Sequence, residues 1–366
     1  MGIPSARAAI LDEKLERGMM DESRPRSKEL LWLDKNENTD PILNQLTGRI
    51  LREIDPLTTL AVYPDCAPLY RKLSDYLCVP TDCLILATGS DGVIRSVFEA
   101  FCEPGNRVLF PNPTYAMYEV YSRMYGAQIV RVDYEATKSG PYLDASSLVQ
   151  AIRENHPKLI CLPNPDSPTG TVLEPAKMRQ LIEAASEAEA LILVDESYFP
   201  YYDQTVMPWV PQFPNLLVIR TFSKAWGMTG LRVGYGVGAE EVITLLHKVR
   251  PNYETNSVGV AVVERMLDFE DEMLASVRRL NAGRDLFVRE MTKLGFKTFP
   301  TYGNFLHVNF GMHEEAIHAA LGDKVLYRRN FRHSCLRGYS RFSATTEELF
   351  APLIKCIQAV VNGTGT

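Results

Sequence analysis

The chain has 366 residues, of which 46% are apolar and 23% charged, and its formal net charge is −6. This composition is that of an ordinary globular protein, and the length predicts two domains, or one large domain with a smaller satellite. The negative net charge gives no indication of nucleic-acid or anionic-membrane binding. No apolar run approaches the roughly 18 residues that a membrane-spanning helix needs.

The cysteines argue against a disulfide-stabilised protein, and the histidines argue against a metal-binding protein. The seven cysteines are odd in number and scattered, which is typical of free thiols in a reducing cytosol rather than of a disulfide framework. The six histidines show no metal-ligand spacing, so we expect no protein-bound metal. Residues 1–29 mix both charge signs and lack the apolar core of a signal peptide.

Short strands and helices alternate through the first two thirds of the chain. Residues 1–30 are predicted to form a polar helix or arm, and helical spacing follows at residues 42–54 and 68–77. The runs predicted as strands are residues 84–87, 107–110, 129–132, 159–162, 191–194 and 216–219. The helices predicted between them are residues 93–101, 113–124, 145–154 and 175–188. This alternation predicts a mainly parallel sheet covered by helices on both faces, with the loops that follow its strands at one edge.

The last third of the chain predicts a smaller α+β domain. Residues 240–294 form one long helical pattern that is broken near residues 251–252. The strands predicted after it are residues 296–299, 305–310, 325–328 and 339–343, and the helices are residues 314–321 and 347–361. We therefore predict an N-terminal arm at residues 1–40 that packs on the small domain, a large domain at 41–250 and a small domain at 251–366.

Two loops at the predicted strand ends are suited to an anion. Gly89, Ser90, Asp91 and Gly92 open a helix directly after a strand, and the backbone N–H groups of such a turn attract phosphate. The stretch from 220 to 235 carries Ser223 and Arg232 in a glycine-rich turn, and the planar arginine fork binds phosphate oxygens in a bidentate way. Taken alone, the first loop is also an ordinary helix cap.

Four further side chains stand at the same predicted edge. Asp195 follows the apolar run LILV, where a carboxylate costs free energy unless it meets a cation or hydrogen-bond donors. Lys224 follows the apolar run LLVI, and a partly desolvated lysine loses its proton more easily and can act as a nucleophile. Tyr198 stands three residues after Asp195, and Tyr115 opens a helix beside the same edge. Each of these residues alone has an ordinary structural explanation.

Together these groups fit one ligand. They supply an anion site for a phosphate, Tyr115 for a flat ring, Asp195 for a basic ring nitrogen, Tyr198 for a ring hydroxyl and Lys224 for an aldehyde. Pyridoxal 5′-phosphate has all of these features, and it binds through a lysine Schiff base with an acidic partner at the pyridine nitrogen.

The chain resembles the class I/II aminotransferases of fold type I, and most closely the histidinol-phosphate aminotransferase group. The matching stretches, in family order, are KNEN (35–38), VYPD (62–65), GSDG (89–92), PTYAMY (113–118), PTG (168–170), VDESY (194–198), RTFSKAWGMTGLRVGY (220–235) and YSRFSATTEE (339–348). The resemblance implies a large domain with a mainly parallel seven-stranded sheet between helices, and a smaller α+β domain.

The resemblance implies a role for each residue around the coenzyme. Lys224 is expected to be the Schiff-base lysine and the proton shuttle, and Asp195 to keep the pyridine nitrogen protonated. Tyr198 is expected to bond the ring hydroxyl, and Tyr115 to stack on the ring. The residues expected to hold the phosphate are Ser90, Asp91, Ser223 and Arg232.

The resemblance also implies a dimer and a substrate site. Tyr63 matches a tyrosine that reaches into the phosphate site of the neighbouring subunit, which implies a homodimer with shared active sites. Arg341 matches the arginine that clamps the substrate α-carboxylate, and Asn38 lies in the flexible N-terminal substrate loop.

Two features depart from the family pattern. The family has an asparagine immediately before PTG that bonds the ring hydroxyl, and here Ser167 takes that place. A serine hydroxyl is also a donor but its side chain is shorter, so Tyr198 is expected to carry more of that interaction. The basic run at residues 328–333 predicts recognition of an anionic substrate tail, with Arg328 the best-aligned candidate, although such a run is also typical of a solvated turn.

We therefore predict transamination of an amino acid or a related amine, of the histidinol-phosphate or aromatic type, with a 2-oxo acid. The alternative within the fold is a decarboxylase of a phosphorylated amino acid, similar to threonine-phosphate decarboxylases, and a remote alternative is a non-catalytic coenzyme-binding regulator. The glycine run 234–238 suggests a dinucleotide dehydrogenase, but it lacks the GxGxxG spacing and the downstream acid. We expect no nucleic acid or membrane as a partner.

Overall fold

The computed structural model describes residues 6–15 and 26–363, so the predicted N-terminal helix or arm lies partly outside the described residues. The helices are α1 (Pro41–Glu53), α2 (Pro56–Leu60), α3 (Ala67–Leu77), α4 (Gly89–Phe101), α5 (Met117–Met124), α6 (Ala145–Asn155), α7 (Pro175–Glu187), α8 (Glu240–Val249), α9 (Ser257–Met266), α10 (Glu270–Lys293), α11 (Glu314–Leu321) and α12 (Glu347–Val361). The strands are β1 (Leu31–Trp32), β2 (Leu84–Ala87), β3 (Arg107–Asn112), β4 (Gln128–Asp133), β5 (Glu135–Thr137), β6 (Gly140–Tyr142), β7 (Leu159–Pro163), β8 (Leu191–Asp195), β9 (Leu216–Thr221), β10 (Gly234–Gly238), β11 (Lys297–Thr298), β12 (Phe305–Asn309), β13 (Val325–Leu326) and β14 (Ser340–Ser343).

A seven-stranded sheet forms the centre of what we call the large unit, together with the helices that pack on it. The strand order is β2–β10–β9–β8–β7–β3–β4. Neighbouring strands are parallel except at β10, which is antiparallel to both β2 and β9. The predicted α/β fold with a mainly parallel seven-stranded sheet is therefore confirmed.

Both faces of this sheet are buried, and β9 shows how. Leu216 and Val218 belong to the apolar cluster that includes residues of α7, whereas Leu217 and Ile219 belong to the cluster that includes residues of α4. All four side chains are fully buried. Because successive side chains of a strand point to opposite faces, a strand with helices on both sides is apolar at every position, as the run LLVI is.

Strand β10 was not predicted, because three of its five residues are glycines. A Cβ added at Gly234 would lie 2.4 Å from the backbone nitrogen of Ser90, and one added at Gly236 would lie 3.0 Å from Val93 Cγ1. The glycines therefore let α4 pack directly on the sheet. The run that suggested a dinucleotide-binding loop is an antiparallel strand of the core.

The small unit is built on the antiparallel sheet β11–β12–β14 and the helices α10, α11 and α12. Phe287 of α10 packs against Phe350 of α12 and Phe342 of β14, with ring centroids 4.6 and 5.3 Å apart. Leu33 is fully buried in the same cluster, and β1 pairs in parallel with β13. The segment before α1 therefore contributes to the core of the small unit.

Three features bear on the predicted element and domain bounds. The pattern at residues 240–294 comprises α8, α9 and α10, and Val260 and Val263 of α9 belong to a cluster of the large unit. The short helical turn Ala8–Leu11 lies near α5 of the large unit, where Asp12 accepts from Arg123. The hairpin β5–β6 was not predicted, because most of its side chains are exposed and show no apolar alternation. The domain bounds stay a prediction.

No helix in the described part of the chain is both long and apolar enough to cross a membrane. The seven cysteines are all free thiols. Within residues 6–15 and 26–363, no group of three or more histidine, cysteine, aspartate and glutamate side chains is arranged to hold a metal ion.

Asp166 stands in the turn after β7 and is almost fully buried. Its carboxylate accepts hydrogen bonds from the hydroxyls of Thr114 and Thr169, both at 2.6 Å. Burial raises the pKa of Asp166 to about 6, and the two threonine donors offset only part of this effect. The ionised form of Asp166 therefore costs stability at neutral pH, in a turn that also carries Ser167.

We expect Asp166→Asn to stabilise the protein in a pH-dependent way. The folded pKa lies above the ordinary value of 3.8, so wild-type stability falls as pH rises from about 4 through about 6. Asparagine does not titrate, and its advantage should reach about 3 kcal/mol at pH 7.5 and roughly half of that at pH 5. Urea unfolding at the two pH values measures this difference.

Asp144→Asn is the matched control, because hydrogen-bond donors at the start of α6 lower the pKa of Asp144 to about 2. Asp144 is ionised at both pH values, so its substitution should have the same effect at pH 5 and 7.5. A pH-independent effect of Asp166→Asn would contradict the prediction.

Candidate active site

A cavity of about 310 Å³ lies at the carboxyl edge of the parallel strands, between the large unit, the small unit and the segment before α1. Its wall contains the ends of β7 and β8, the turn after β9 and the start of α4. The predicted site residues that line it are Ser90, Asp91, Tyr115, Ser167, Asp195, Tyr198, Ser223, Lys224, Arg232, Arg328 and Arg341. The predicted meeting of strand-end loops is therefore observed.

Lys224 lies in the turn that follows β9, and its amine faces the segment before α1. The Nζ atom donates to the backbone carbonyls of Lys35 and Asn36, at 3.1 and 3.2 Å. Burial lowers the pKa of Lys224 to about 8, and the positive charge of Arg341 adds to this effect. A fraction of the amine is therefore unprotonated near neutral pH, as a nucleophile or a general base requires.

Asp195 ends β8 and is almost fully buried. Its Oδ2 accepts from the hydroxyl of Tyr118 and its Oδ1 from the backbone N–H of Ser197, both at 2.9 Å. Burial raises its pKa. Among the described residues, no lysine, arginine or histidine forms an ion pair with Asp195. A cation placed beside it in the cavity would therefore be stabilised strongly.

The start of α4 and the turn after β9 form an anion cradle. Arg232 Nη1 donates to Ser223 Oγ at 3.3 Å, and Ser90 Oγ accepts from Ser197 Oγ at 3.0 Å. Gly89 has a φ of +75°, and a Cβ there would lie 2.7 Å from Arg232 Nη2. Glycine at this position therefore lets the guanidinium approach the start of the helix, where N–H groups favour an anion.

Two residues at the start of α4, Asp91 and Gly92, make further contacts within the protein. The carboxylate of Asp91 accepts from the hydroxyls of Tyr115 and Tyr121, at 3.3 and 3.0 Å. Asp91 therefore orients Tyr115, and its charge is not suited to contact an anion directly. Gly92 does not line the cavity, and a Cβ there would lie 2.9 Å from Ala87 Cβ. It lets α4 pack against β2, and its predicted part in phosphate binding stays a prediction.

Arg341 and Arg328 line the side of the cavity that faces the small unit. They lie on adjacent strand segments and exchange two backbone hydrogen bonds. Arg341 is 4% exposed, and its Nη2 donates to the carbonyl of Asp34 at 3.1 Å, whereas its Nε has no partner. Burial lowers the pKa of Arg341 to about 10. An anionic substrate group would satisfy the buried Nε.

Two further predicted residues, Asn38 and Tyr63, also lie off the cavity. Asn38 is buried, and its Nδ2 donates to the carbonyl of Ala225 and to Ser276 Oγ, both at 3.1 Å. It anchors the segment before α1 and does not line the cavity, and its predicted part in substrate binding stays a prediction. Tyr63 is 74% exposed and stacks on Tyr253 with ring centroids 4.2 Å apart. Its predicted contact with a second subunit stays a prediction.

Residues that were not predicted also take part in the site. Asn36 lines the cavity and donates from Nδ2 to the hydroxyl of Tyr198 at 2.8 Å. Lys35 also lines the cavity. Tyr118 does not line it, but its hydroxyl donates a hydrogen bond to the carboxylate of Asp195. The KNEN stretch was a sequence signal for Asn36 and Lys35, but the pattern alone did not tell which of its residues faces the cavity.

A buried ion pair connects the two strand ends that carry Asp195 and Lys224. The guanidinium of Arg220 donates to Glu196 Oε2 from Nε at 3.0 Å and from Nη2 at 2.8 Å. The side chains are 9% and 3% exposed, and the Arg220 guanidinium lies 3.5 Å from the centre of the Phe199 ring. Glu196 also accepts from the backbone N–H of Val206 at 2.8 Å. This pair fixes how the two strand ends lie beside each other.

The residues present fit pyridoxal 5′-phosphate. Asp195 is a buried carboxylate without a cationic partner, the cradle at Arg232 and Ser223 is suited to a phosphate, and Lys224 is an amine with a lowered pKa. This donor set matches the three polar groups of the coenzyme that need a partner in the protein, namely the ring nitrogen, the phosphate and the aldehyde.

Comparisons with known proteins agree with this set of groups. The chain is 30% identical to a histidinol-phosphate aminotransferase of Caldanaerobacter subterraneus subsp. tengcongensis over 305 residues, which is 82% of this chain and 85% of the relative. It is 31% identical to a histidinol-phosphate aminotransferase of Thermoanaerobacter pseudethanolicus over 322 residues, which is 86% of this chain and 89% of the relative.

Two solved structures share the fold. The crystal structure of a putative histidinol-phosphate aminotransferase from Erwinia carotovora atroseptica has a TM-score of 0.82 at 22% identity, with 92% of this chain and 97% of that chain covered. The histidinol-phosphate aminotransferase of Sinorhizobium meliloti in complex with pyridoxal 5′-phosphate has a TM-score of 0.78 at 20% identity, with 91% of each chain covered. The family model of class I and II aminotransferases matches residues 28–357. This chain therefore belongs to the class I and II aminotransferases and is a pyridoxal-5′-phosphate-dependent enzyme.

Proposed function

We propose that this aminotransferase takes its amino group from an amine with a phosphate or similar anionic tail, of the histidinol-phosphate type, and passes it to a 2-oxo acid. The observation that carries this proposal is that three cationic residues line the cavity in addition to Lys224 and Arg232, namely Arg341, Arg328 and Lys35. Among the described residues, no carboxylate pairs with any of them. The two relatives named above act on histidinol phosphate by their names, which supports this substrate class.

The alternative aromatic donor fits this wall less well. An aromatic amino acid carries one carboxylate, which Arg341 alone would bind. Arg328 and Lys35 would then face the substrate without an anionic partner. A phosphate has enough oxygens to accept hydrogen bonds from more than one of these side chains. It would therefore form more charge-assisted hydrogen bonds in the cavity than a single carboxylate.

The coenzyme, when bound, supplies an aldehyde and an electron-withdrawing ring. We propose that Lys224 holds this aldehyde and that its Nζ, once free, accepts the proton from the substrate α-carbon. Asp195 holds the proton on the ring nitrogen, and Tyr118 keeps the Asp195 carboxylate in place. Burial disfavours a charged amine at Lys224, so the base regains its neutral form readily.

The remaining side chains bind and orient the coenzyme in this proposal. Ser223 and Arg232 hold the phosphate together with Ser90 and the N–H groups at the start of α4. Tyr115 lies against the coenzyme ring, and Asp91 orients Tyr115 by accepting a hydrogen bond from the Tyr115 hydroxyl. Tyr198 donates to the ring hydroxyl.

We propose that the enzyme is a cytoplasmic homodimer. The segment at α2 and after it exposes several large apolar side chains next to one another, namely Leu57, Leu60, Val62 and Tyr63. Such a patch is typical of an interface, and Tyr63 at its end would reach the partner's phosphate site. The free state of the cysteines supports a reducing compartment.

Arg328→Ala should raise the KM for a substrate that carries a phosphate more than the KM for a substrate that lacks it. We expect the KM for histidinol phosphate to rise about tenfold, because one charge-assisted hydrogen bond to the phosphate is lost. The KM for histidinol, which lacks the phosphate, should change little. Steady-state kinetics with the two donors measure the difference.

Arg332→Ala is the matched control for this experiment, since Arg332 is in the same basic run but is exposed and does not line the cavity. Equal changes for both donors in Arg328→Ala, or an equal change in Arg332→Ala, would contradict the proposed substrate class.

Leu60→Glu should weaken the dimer, because it places a charge in the proposed interface. Leu60 is 70% exposed in one subunit, so the substitution should not disturb the fold of the subunit itself. Sedimentation velocity should show a shift from dimer to monomer, with loss of coenzyme affinity as the Tyr63 contact is lost.

The control is Leu11→Glu, because Leu11 is also an exposed leucine, at 63%, but lies outside the proposed interface. A wild-type protein that sediments as a monomer, or two variants with equal effects, would count against the homodimer.

A further inference from the structure

We propose that Asn36 is a positioning residue that turns the hydroxyl proton of Tyr198 into the cavity, and that this relay replaces the asparagine that the family has before PTG. The proposal rests on the proposed function, in which Tyr198 donates to the ring hydroxyl of the coenzyme. It goes beyond that function by assigning a role to a residue of the N-terminal segment and by explaining how the chain works with a serine at position 167.

The first step is the geometry of Asn36, which is held from three directions. Asn36 is 3% exposed and adopts a left-handed conformation with φ 56°. Its backbone N–H donates to Ser343 Oγ at 2.8 Å, and its carbonyl accepts from Asn304 Nδ2 at 2.9 Å. Its side-chain Nδ2 donates to the Tyr198 hydroxyl at 2.8 Å. The amide of Asn36 is therefore aimed at Tyr198 by contacts to the small unit.

The second step concerns the direction of the Tyr198 hydroxyl. A tyrosine hydroxyl carries one proton and can also accept hydrogen bonds, whereas an amide NH₂ can only donate. The Tyr198 oxygen must therefore accept from Asn36. The proton of Tyr198 is left to point elsewhere, and both Tyr198 and Ser167 line the cavity.

The third step is electrostatic. Burial raises the pKa of Tyr198, while the positive charge of Arg341 and the hydrogen bond from Asn36 act in the opposite direction. Donors on its oxygen make the hydroxyl a stronger donor itself, because chains of hydrogen bonds polarise one another. An asparagine at position 167 would donate to the ring hydroxyl of the coenzyme directly. In this chain the amide of Asn36 donates to Tyr198, and Tyr198 donates to the ring hydroxyl.

The buried Oδ1 of Asn36 has no partner among the described residues, and Asn36 lines the cavity. An unsatisfied buried acceptor costs about 1–3 kcal/mol, and structures retain such groups where a ligand satisfies them. The Nδ2 group of Asn36 therefore donates to Tyr198, and its Oδ1 atom is free to accept from a donor on a bound ligand.

The test uses the coenzyme-loaded enzyme and follows the absorbance of the lysine-bound coenzyme as a function of pH. A donor to the ring hydroxyl stabilises its deprotonated form, and thereby lowers the pKa at which the linkage to Lys224 takes up a proton. We expect Asn36→Ala to raise this pKa, with a proton affinity about tenfold higher than in the wild type. Adding Ser167→Asn to Asn36→Ala should restore the wild-type value, because it returns an amide to the family position.

Two further variants separate this role from a structural one. Asn38→Ala is the matched control, because Asn38 is a buried asparagine of the same segment but bonds Ala225 and Ser276 away from the cavity. It should lower thermal stability without changing the pKa of the linkage. In a Tyr198→Phe background, Asn36→Ala should produce no further change, because the relay acts through the Tyr198 hydroxyl.

Three results would overturn the proposal. They are an unchanged pKa in a folded and coenzyme-loaded Asn36→Ala variant, a lack of rescue by Ser167→Asn, and a full effect of Asn36→Ala in the Tyr198→Phe background. If Asn36→Ala does not fold, Ser167→Asn alone should lower the pKa below the wild-type value, and no change there would overturn the proposal as well. Failure of the proposed function is a different result, since the wild type would then show no absorbance band that depends on Lys224.

Discussion

The buried ion pair between Glu196 and Arg220 is the constraint on which the site depends. Glu196 follows Asp195 directly, and Arg220 stands four residues before Lys224, so one interaction couples the strand end that carries Asp195 to the turn that carries Lys224. Breaking a buried pair by removing one partner leaves an uncompensated charge and costs about 3–5 kcal/mol. The parallel pairing of β8 and β9 sets the distance between the two strand ends, and the ion pair keeps their last residues in that register.

The segment before α1 completes the site from the other side. Its backbone accepts from Lys224 and from Arg341, and its Asn36 side chain donates to Tyr198. The same segment packs in the core of the small unit through Leu33. One short stretch of chain therefore contacts Arg341, Lys224 and Tyr198, and a shift of the small unit would change the position of all three side chains.

Much of the fold and of the site could be predicted from local patterns. A strand buried on both faces is a continuous apolar run, and the polar residue that follows it stands at the sheet edge, which was enough to find Asp195 and Lys224. Strand β10 could not be found in this way, because its glycines reflect the close approach of α4, which is a tertiary contact. Gly92 and Asn38 lie within matching motifs, but the motifs do not show their surroundings. Gly92 lies close to Ala87, and Asn38 donates to Ser276, and both contacts depend on the tertiary structure. Asn36 was missed for the same reason.

The central claim is that Lys224 is the residue that binds the coenzyme covalently, and identification of the modified lysine tests it most directly. The enzyme loaded with pyridoxal 5′-phosphate is reduced with borohydride, digested and examined by mass spectrometry. The account predicts a phosphopyridoxyl group on Lys224. A group on Lys35, the other lysine that lines the cavity, or no covalent modification of the loaded enzyme, would contradict it.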